Sequence, residues 1–180
     1  MSALSDLTPG TWTADAAHSH VGFTVRHMVV SKVRGSFDKF DATLTVADDP
    51  LQSSVEATIN LDSINTGDEG RDGHVKGGDF FDIEQFPTME FKSTGIRPNG
   101  SDYFLDGDLT IKGITKPVTL ELEFNGVTKD PWGGTRAGFS AEGEVNRGDY
   151  GISYNAVLET GGVLIGEKLK VAIEIEAVKS

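Results

Sequence analysis

Residues 18–40, HSHVGFTVRHMVVSKVRGSFDKF, show the pattern that decides the fold. Val21, Phe23 and Val25 are apolar, His27 ends the series, and the residues between them are small, polar or charged. Successive side chains of a β-strand point to opposite faces, so this period of two predicts a strand with one buried face.

The same alternation returns along the chain and predicts an all-β protein. Gly35 is expected to break the first long strand, and a Gly161-Gly162 turn to precede the last one. The predicted strands are 11–14, the opening stretch up to Gly35, 37–46, 54–61, 88–94, 103–112, 118–124, 137–145 and 168–178.

Residues 64–87 interrupt this pattern, because they contain no two-residue alternation. Asp68 and the residues before it are typical of a helix N-cap, although the glycines that follow weaken helix formation. Four large apolar residues come next: Phe80, Phe81, Ile83 and Phe86. We expect one or two short helices in 64–87 that close one end of the β-structure.

An extended eight-stranded antiparallel barrel is the simplest arrangement of these strands, because closure removes exposed strand edges. A β-sandwich is the alternative. No repeat or linker divides the chain, so we predict one domain, residues 1–180.

The charge and composition limit the functional classes. The net charge of −12 opposes non-specific binding to nucleic acid and electrostatic docking on an anionic membrane. The absence of cysteine excludes disulfides and thiolate chemistry. The first residues show no secretory signal and no apolar run is long enough to span a membrane, so a cytoplasmic protein is expected.

A search for reactive groups gives weak candidates. His18 and His20 are two apart and could share a strand face as metal ligands, but a third ligand is not evident. Residues 68–79 resemble a calcium loop that lacks its third ligand and its final glutamate. No Gly-x-Ser-x-Gly elbow exists. We therefore expect no enzyme activity, metal or cofactor.

The apolar residues leave two interpretations open. Ten phenylalanines are many for a chain of 180 residues. They are compatible with a filled hydrophobic core or with a cavity for an apolar ligand, which look the same in sequence.

A series of short motifs resembles the YceI-like (polyisoprenoid-binding) family over nearly the whole chain. Each motif is weak alone, but their common order is specific. The motifs are Trp12 with Asp15-x-x-His18-Ser19, Phe23-x-Val25-x-His27, Gly35-Ser36-Phe37, Ser63-Ile64-x-Thr66, Arg71-Asp72-x-His74-x-Lys76-x-x-Asp79-Phe80-Phe81-Asp82, Phe86-Pro87-x-x-x-Phe91-x-Ser93, the segment from Gly107 to Val118, Asn146-Arg147-x-Asp149-x-Gly151 and a final strand with Gly166.

The resemblance implies a lipocalin-like barrel, usually a homodimer, that binds a long isoprenoid or similar amphiphilic lipid such as a polyprenyl phosphate or a quinone-like molecule. It implies storage or transport without catalysis. Carried onto this sequence, the residues expected to bind the apolar tail are Val21, Phe23, Val25, Phe37, Phe40, Leu44, Ile59, Leu61, Phe80, Phe81, Phe86, Phe91, Leu109, Ile111, Leu120 and Leu122.

Three residues are candidates for the lipid head group: His27, Arg71 and Arg147. The two arginines have a structural alternative, because Arg71 with Asp72 and Arg147 with Asp149 could form ion pairs. Two other functions are alternative hypotheses. An enzyme acting on such a lipid would use His27 or Arg147 to polarise the head group, and a ligand-free structural or interaction domain would have a filled barrel.

Overall fold

The computed structural model describes residues 4–28, 30–155 and 165–180, in which it places eleven strands and one α-helix. The predicted Gly161-Gly162 turn lies outside these residues. The elements are β1 (Gly10–Ala14), β2 (His20–His27), β3 (Ser31–Phe37), β4 (Phe40–Val46), β5 (Ser54–Asn60), β6 (Ile64–Asn65), α1 (Glu69–Lys76), β7 (Thr88–Asn99), β8 (Asp102–Ile111), β9 (Ile114–Lys129), β10 (Thr135–Asn146) and β11 (Ile165–Lys179).

The strands close into an antiparallel barrel. Neighbours pair in the order β1, β4, β5, β7, β8, β9, β10 and β11, and β11 pairs back with β1. The first part of β11 pairs instead with β2, which pairs with β3. Thus β1 with β2, and β3 with β4, act as two interrupted wall strands. This is the predicted eight-stranded barrel, and the β-sandwich alternative is wrong.

One detail of the opening stretch differs from the prediction. Gly35 does not break a strand but lies inside β3, opposite Phe23 on β2. A Cβ at Gly35 would lie 2.4 Å from the Phe23 ring, so glycine leaves room for that ring. The stretch is therefore a hairpin, and the interruption comes later, at Asp38 and Lys39 between β3 and β4.

The segment 64–87, which we call the cap, contains the predicted short helix. Asp68 is the N-cap of α1, and its side chain accepts a hydrogen bond from the Arg71 amide. The Asp72 carboxylate accepts from the backbone and hydroxyl of Thr66. Of these two aspartates of the resembled calcium loop, Asp68 caps the helix and Asp72 holds Thr66 in the loop before it. Among the described residues, no helix is long and apolar enough to cross a membrane.

The opposite end of the barrel is closed by Trp12, which is 0% exposed. The indole Nε1 donates a hydrogen bond to the Thr8 carbonyl oxygen over 3.1 Å. Trp12 shares its core cluster with Phe124, Ala137 and Ala177, all buried. Small residues on β10 and β11 thus make room for one large ring, which fills the barrel at this end.

Candidate binding cavity

The barrel encloses a cavity of about 660 Å³. This volume is typical of small-molecule sites, which range over roughly 300–1,000 Å³. Its wall extends from Leu4 and Leu7, near Trp12, to His74 and Val75 on α1. The filled barrel that a ligand-free structural domain predicts is therefore not observed.

Most of the residues predicted to bind an apolar tail lie on the cavity wall. Alternation along the strands places them there, because every second side chain points inward. They are Val21, Phe23, Val25, Phe37, Phe40, Leu44, Ile59, Phe80, Phe81, Phe91, Leu109, Ile111, Leu120 and Leu122.

Leu61 and Phe86 are not on the wall. Leu61 is fully buried in a short 3₁₀ helix and belongs to a core cluster with Phe37, Ile59 and Ile64. Phe86 is half-buried and lies beside Gly113, where a Cβ would be 3.1 Å from its ring. Leu61 thus supports the wall from behind, and Phe86 lies in the cap, whose end it was expected to seal or line. Contact of either residue with a ligand stays a prediction.

All three head-group candidates lie on the wall, but they differ in how their donors are used. Arg147 is 6% exposed and donates hydrogen bonds to the carbonyl oxygens of Ile152, Tyr154, Gly166 and Ile165 at 2.8–3.3 Å. Burial lowers the pKa of its guanidinium. Arg147 thus joins the chain after β10 to the start of β11, and the suggested ion pair with Asp149 is not formed.

Arg71 retains more of its donor capacity. Its Nε donates to the Thr66 hydroxyl at 2.9 Å and its Nη2 to the Thr66 carbonyl oxygen at 2.8 Å. Asp72 bonds to the same threonine rather than to Arg71, so the suggested Arg71–Asp72 ion pair is also absent. An arginine carries five N–H donors, and two of those of Arg71 are used by described residues.

The charged part of the wall is positive, because Arg26, Arg71 and Arg147 lie on it. His27 and His74 are further polar residues of the wall. No aspartate, glutamate or lysine lies on the wall among the described residues, although the chain holds 28 acidic residues. The cavity therefore combines apolar walls with guanidinium groups, an environment suited to an amphiphile with an electron-rich head group.

Tyr150 is a wall residue that the sequence analysis missed. Its side chain is 1% exposed, and its hydroxyl has no hydrogen-bond partner among the described residues. Burial, with a smaller contribution from Asp149, raises the pKa of this phenol to about 12. Such a hydroxyl stays protonated at neutral pH and is a weak acid.

Several other wall residues absent from the predicted site lie on β3, β10 and β11. The alternation on 137–145 and 168–178 indicates an inward face, and the same inward rule includes its residues. Val33 lies beyond His27, where the predicted alternation of the opening stretch ends. These residues are Val33, Phe139, Ala141, Val145, Leu169, Val171, Ile173 and Ile175.

The two histidines considered as metal ligands are not brought together. His18 ends a 3₁₀ helix, and its Nδ1 lies 2.8 Å from Asp15 and 3.5 Å from Glu176. Arg136 also contacts both carboxylates, at 2.9 and 3.4 Å. Arg136, followed by His18, lowers the pKa of Asp15 to about 2. Asp15 and Glu176 therefore share one guanidinium, with His18 beside both, and these groups form an ion-pair cluster.

The fold and the cavity define a class of protein: a closed antiparallel barrel of the lipocalin-like type, with an apolar interior and a helical cap. The chain belongs to the YceI-like domain family, whose sequence profile matches residues 12–177. A UPF0312 protein of Staphylococcus aureus is 44% identical over 161 residues, covering 88% of this chain and 92% of the relative.

Solved structures share the fold. Burkholderia cenocepacia BcnA has a TM-score of 0.77 at 25% identity, covering 91% of this chain and 98% of BcnA. A Campylobacter jejuni YCEI protein has a TM-score of 0.72 at 29% identity, covering 92% and 96%. A polyisoprenoid-binding domain from Saccharophagus degradans has a TM-score of 0.72, covering 94% and 98%, and at 14% identity this likeness concerns the fold alone.

Proposed function

We propose that the protein binds a long-chain isoprenoid or similar amphiphilic lipid inside the barrel and stores or transports it without changing it. The observation that carries this proposal is the cavity of about 660 Å³, lined by apolar side chains along the length of the barrel. Moving apolar surface from water into such a cavity is favourable by about 25 cal/mol per Å². The polyisoprenoid-binding domain of Saccharophagus degradans shares the fold, and the ligand class proposed for this chain rests on the cavity itself.

The polar side chains favour an anionic or electron-rich head group. Arginine binds phosphate through paired N–H donors, and Arg71 keeps three donors beyond those used by Thr66 among the described residues. Arg147 is already bound to four carbonyl oxygens. We therefore assign the main head-group contact to Arg71, with His27 as a further candidate. A polyprenyl phosphate fits this site better than a neutral quinone-like lipid.

The enzyme alternative gains little support from the wall. General acid–base catalysis favours a group whose pKa lies near the working pH. The described wall has no carboxylate, and burial moves the pKa of Tyr150 to about 12, away from neutrality. His27 and His74 are the acid–base candidates that remain on the wall. Turnover of a bound prenyl lipid that disappears in His27→Ala would favour the enzyme instead.

The proposal includes two further expectations, a homodimer and a cytoplasmic location. Light scattering of the purified protein tests the first, with a mass near twice 19.3 kDa expected. Cell fractionation of the native host tests the second.

The inward assignment can be tested by narrowing the cavity. Ile111 on β8 is buried and lines the wall, so Ile111→Trp should obstruct the interior and strongly reduce uptake of a fluorescent prenyl phosphate. Its cross-strand partner Ile114 is exposed and lies off the wall. Ile114→Trp is therefore the matched control and should bind like the wild type. Equal uptake by both variants would contradict the assignment.

The head-group assignment has its own test. Arg71→Met should weaken binding of a prenyl phosphate by about tenfold or more while leaving binding of the corresponding prenol nearly unchanged. Lys129→Met removes one exposed positive charge on β9 and serves as the control. An equal loss for both ligands in Arg71→Met would mean that Arg71 only supports the cap.

A further inference from the structure

The outer face of the β2–β3 hairpin differs in charge from the rest of the chain. No aspartate or glutamate lies between Asp15 and Asp38, although the chain has 28 acidic residues and a net charge of −12. The same interval contains Arg26, Lys32 and Arg34. We call residues 24–34 the basic hairpin; Val29 within it lies outside the described residues.

The pairing of the strands brings these cations together. Arg26 is opposite Lys32, and Arg34 is opposite Thr24, whose other neighbour is Lys170 on β11. All four cationic side chains are exposed. Like charges directly opposite each other destabilise a strand pair, so the fold alone does not favour this arrangement.

Three of these cations have no carboxylate opposite them on the paired strands, whereas Lys170 is opposite the exposed Glu144 on β10. Among the described residues, none of the four takes part in an ion pair, whereas Arg97, Arg136, Lys76 and Lys92 all do. Glu167, near the start of β11, is an exposed carboxylate on this side of the barrel. The basic hairpin is therefore a local positive surface on a strongly negative protein.

The tip of the hairpin is apolar and exposed. Met28 is 44% and Val30 87% exposed, while the other exposed large hydrophobic residues of the described chain, Ile114 and Trp132, lie elsewhere. Met28 also has a φ of 54°, a left-handed conformation that is uncommon for residues other than glycine, asparagine and aspartate. Neither packing nor turn chemistry explains these side chains.

The tip lies next to the cavity. Arg26 and His27, the last residues of β2, belong to the cavity wall. On its far side, β3 pairs with β6 through Ser36 and Phe37 only, so its first residues have no further strand neighbour among the described elements. The hairpin thus presents a surface that continues into the interior of the barrel.

We propose that the basic hairpin docks the protein on an anionic lipid bilayer, with Met28 and Val30 entering the interface and the four cations facing the lipid head groups. Apolar side chains surrounded by Lys and Arg are the combination that binds such interfaces. The net charge of −12 opposes both an anionic membrane and nucleic acid, so docking would depend on this local surface. Nucleic acid would use the cations but not the apolar tip, which favours the bilayer. Docking here would bring the cavity to the membrane from which a lipid is taken or to which it is delivered.

Vesicle binding tests this proposal without any cavity ligand, so its outcome does not depend on the proposed function. The wild type should sediment with vesicles of phosphatidylcholine mixed with phosphatidylglycerol, and less with pure phosphatidylcholine or at high salt. Each Lys or Arg near an anionic surface contributes about fivefold in affinity. The double variant Lys32→Glu/Arg34→Glu should therefore bind at least about 25-fold more weakly.

The matched control changes the same charge on another face. Lys116 and Lys129 are exposed on β9, which β10 and β11 separate from β2, and Lys116→Glu/Lys129→Glu should bind vesicles much more strongly than the hairpin variant. Val30→Ser should lose affinity several-fold, and Trp132→Ser should not. Circular dichroism confirms that each variant is folded.

Three results would overturn the proposal: no binding of the wild type to the anionic vesicles, an equal loss in both double variants, or binding of duplex DNA at lower concentrations than the vesicles with the same dependence on Lys32 and Arg34.

Discussion

The two ends of the barrel are closed in different ways. At one end Trp12 fills the interior, in one core cluster with Ala137 and Ala177. All three of these side chains are buried. At the other end lies the cap, whose helix α1 has no buried residue. The cap as a whole is joined to the barrel by the buried side chains of Ile64 and Phe80 and by polar contacts, such as Lys76 with Asp62 at 3.1 Å.

This difference indicates which end of the barrel is more stable and which end can open locally. Burial of a large aromatic side chain contributes several kcal/mol, whereas exposed ion pairs contribute about 0–1 kcal/mol each. Local opening occurs in regions with few buried apolar contacts. We therefore infer that the Trp12 end carries the stability and that a ligand enters beside the cap.

The largest effect is expected at the packed end. Trp12→Ala should lower the free energy of unfolding by about 3–5 kcal/mol, because it leaves a cavity in a filled region. Urea denaturation measures this loss. Trp132 is 84% exposed, so Trp132→Ala is the control and should change stability by no more than about 0.5 kcal/mol. A loss below about 1 kcal/mol for Trp12→Ala would show that this end is not the stable one.

Arg147 is an exception near the cap end, because it is buried and firmly bonded. Arg147→Ala should destabilise the protein by about 2–3 kcal/mol, since four backbone carbonyl oxygens lose their donor. Thermal unfolding of Arg147→Ala, with His27→Ala as the comparison, measures this loss of stability. Comparable small losses in both would mean that the Arg147 bonds contribute little.

At Tyr150 a substitution is expected to raise the stability of the protein, unlike those at Trp12 and Arg147. Its buried hydroxyl has no partner among the described residues, so Tyr150→Phe should raise stability by about 1 kcal/mol. The raised pKa of about 12 acts only at high pH. The folded state holds the phenol proton more strongly, so stability falls as the pH rises from 10 towards 12, and Tyr150→Phe should not show this fall. A lower melting temperature for Tyr150→Phe at pH 7 would show that the hydroxyl has a partner.

The smallest global effect is expected in the cap. Asp72→Ala removes the acceptor for the Thr66 amide and hydroxyl and should change the free energy of unfolding by less than about 1 kcal/mol. Amide hydrogen exchange in α1 should nevertheless become about tenfold faster, because the cap opens locally. Exchange in β10 and β11 is the internal reference. Faster exchange throughout the barrel would contradict a separately opening cap.

The sequence predicts the strands well where alternation is strict, as on β8, because an inward face must be apolar along the strand. On β9 it predicts only the middle, 118–124 of Ile114–Lys129. The sequence is less informative where one residue is compatible with two different local structures. Gly35 looks like a strand break, yet its missing side chain makes room for Phe23 across the hairpin. That contact depends on pairing between distant residues, which periodicity does not contain.

The candidate site shows the same limit. The inward positions of Phe23 and Ile111 follow from the alternation of side chains along their strands alone. The position of Leu61 does not, because a short 3₁₀ helix after β5 changes the direction of its side chain. The functions of Arg71 and Arg147 also depend on contacts, since one binds a threonine and the other four carbonyl oxygens, and neither forms the ion pair that its sequence neighbours suggest.

Native mass spectrometry of the protein purified from its own host, combined with organic extraction, tests the central claim most directly. The account predicts a bound species with the mass of a long-chain isoprenoid or a similar amphiphile, which the extract recovers unchanged. A protein that carries no ligand and takes up neither a prenyl phosphate nor a quinone would contradict it.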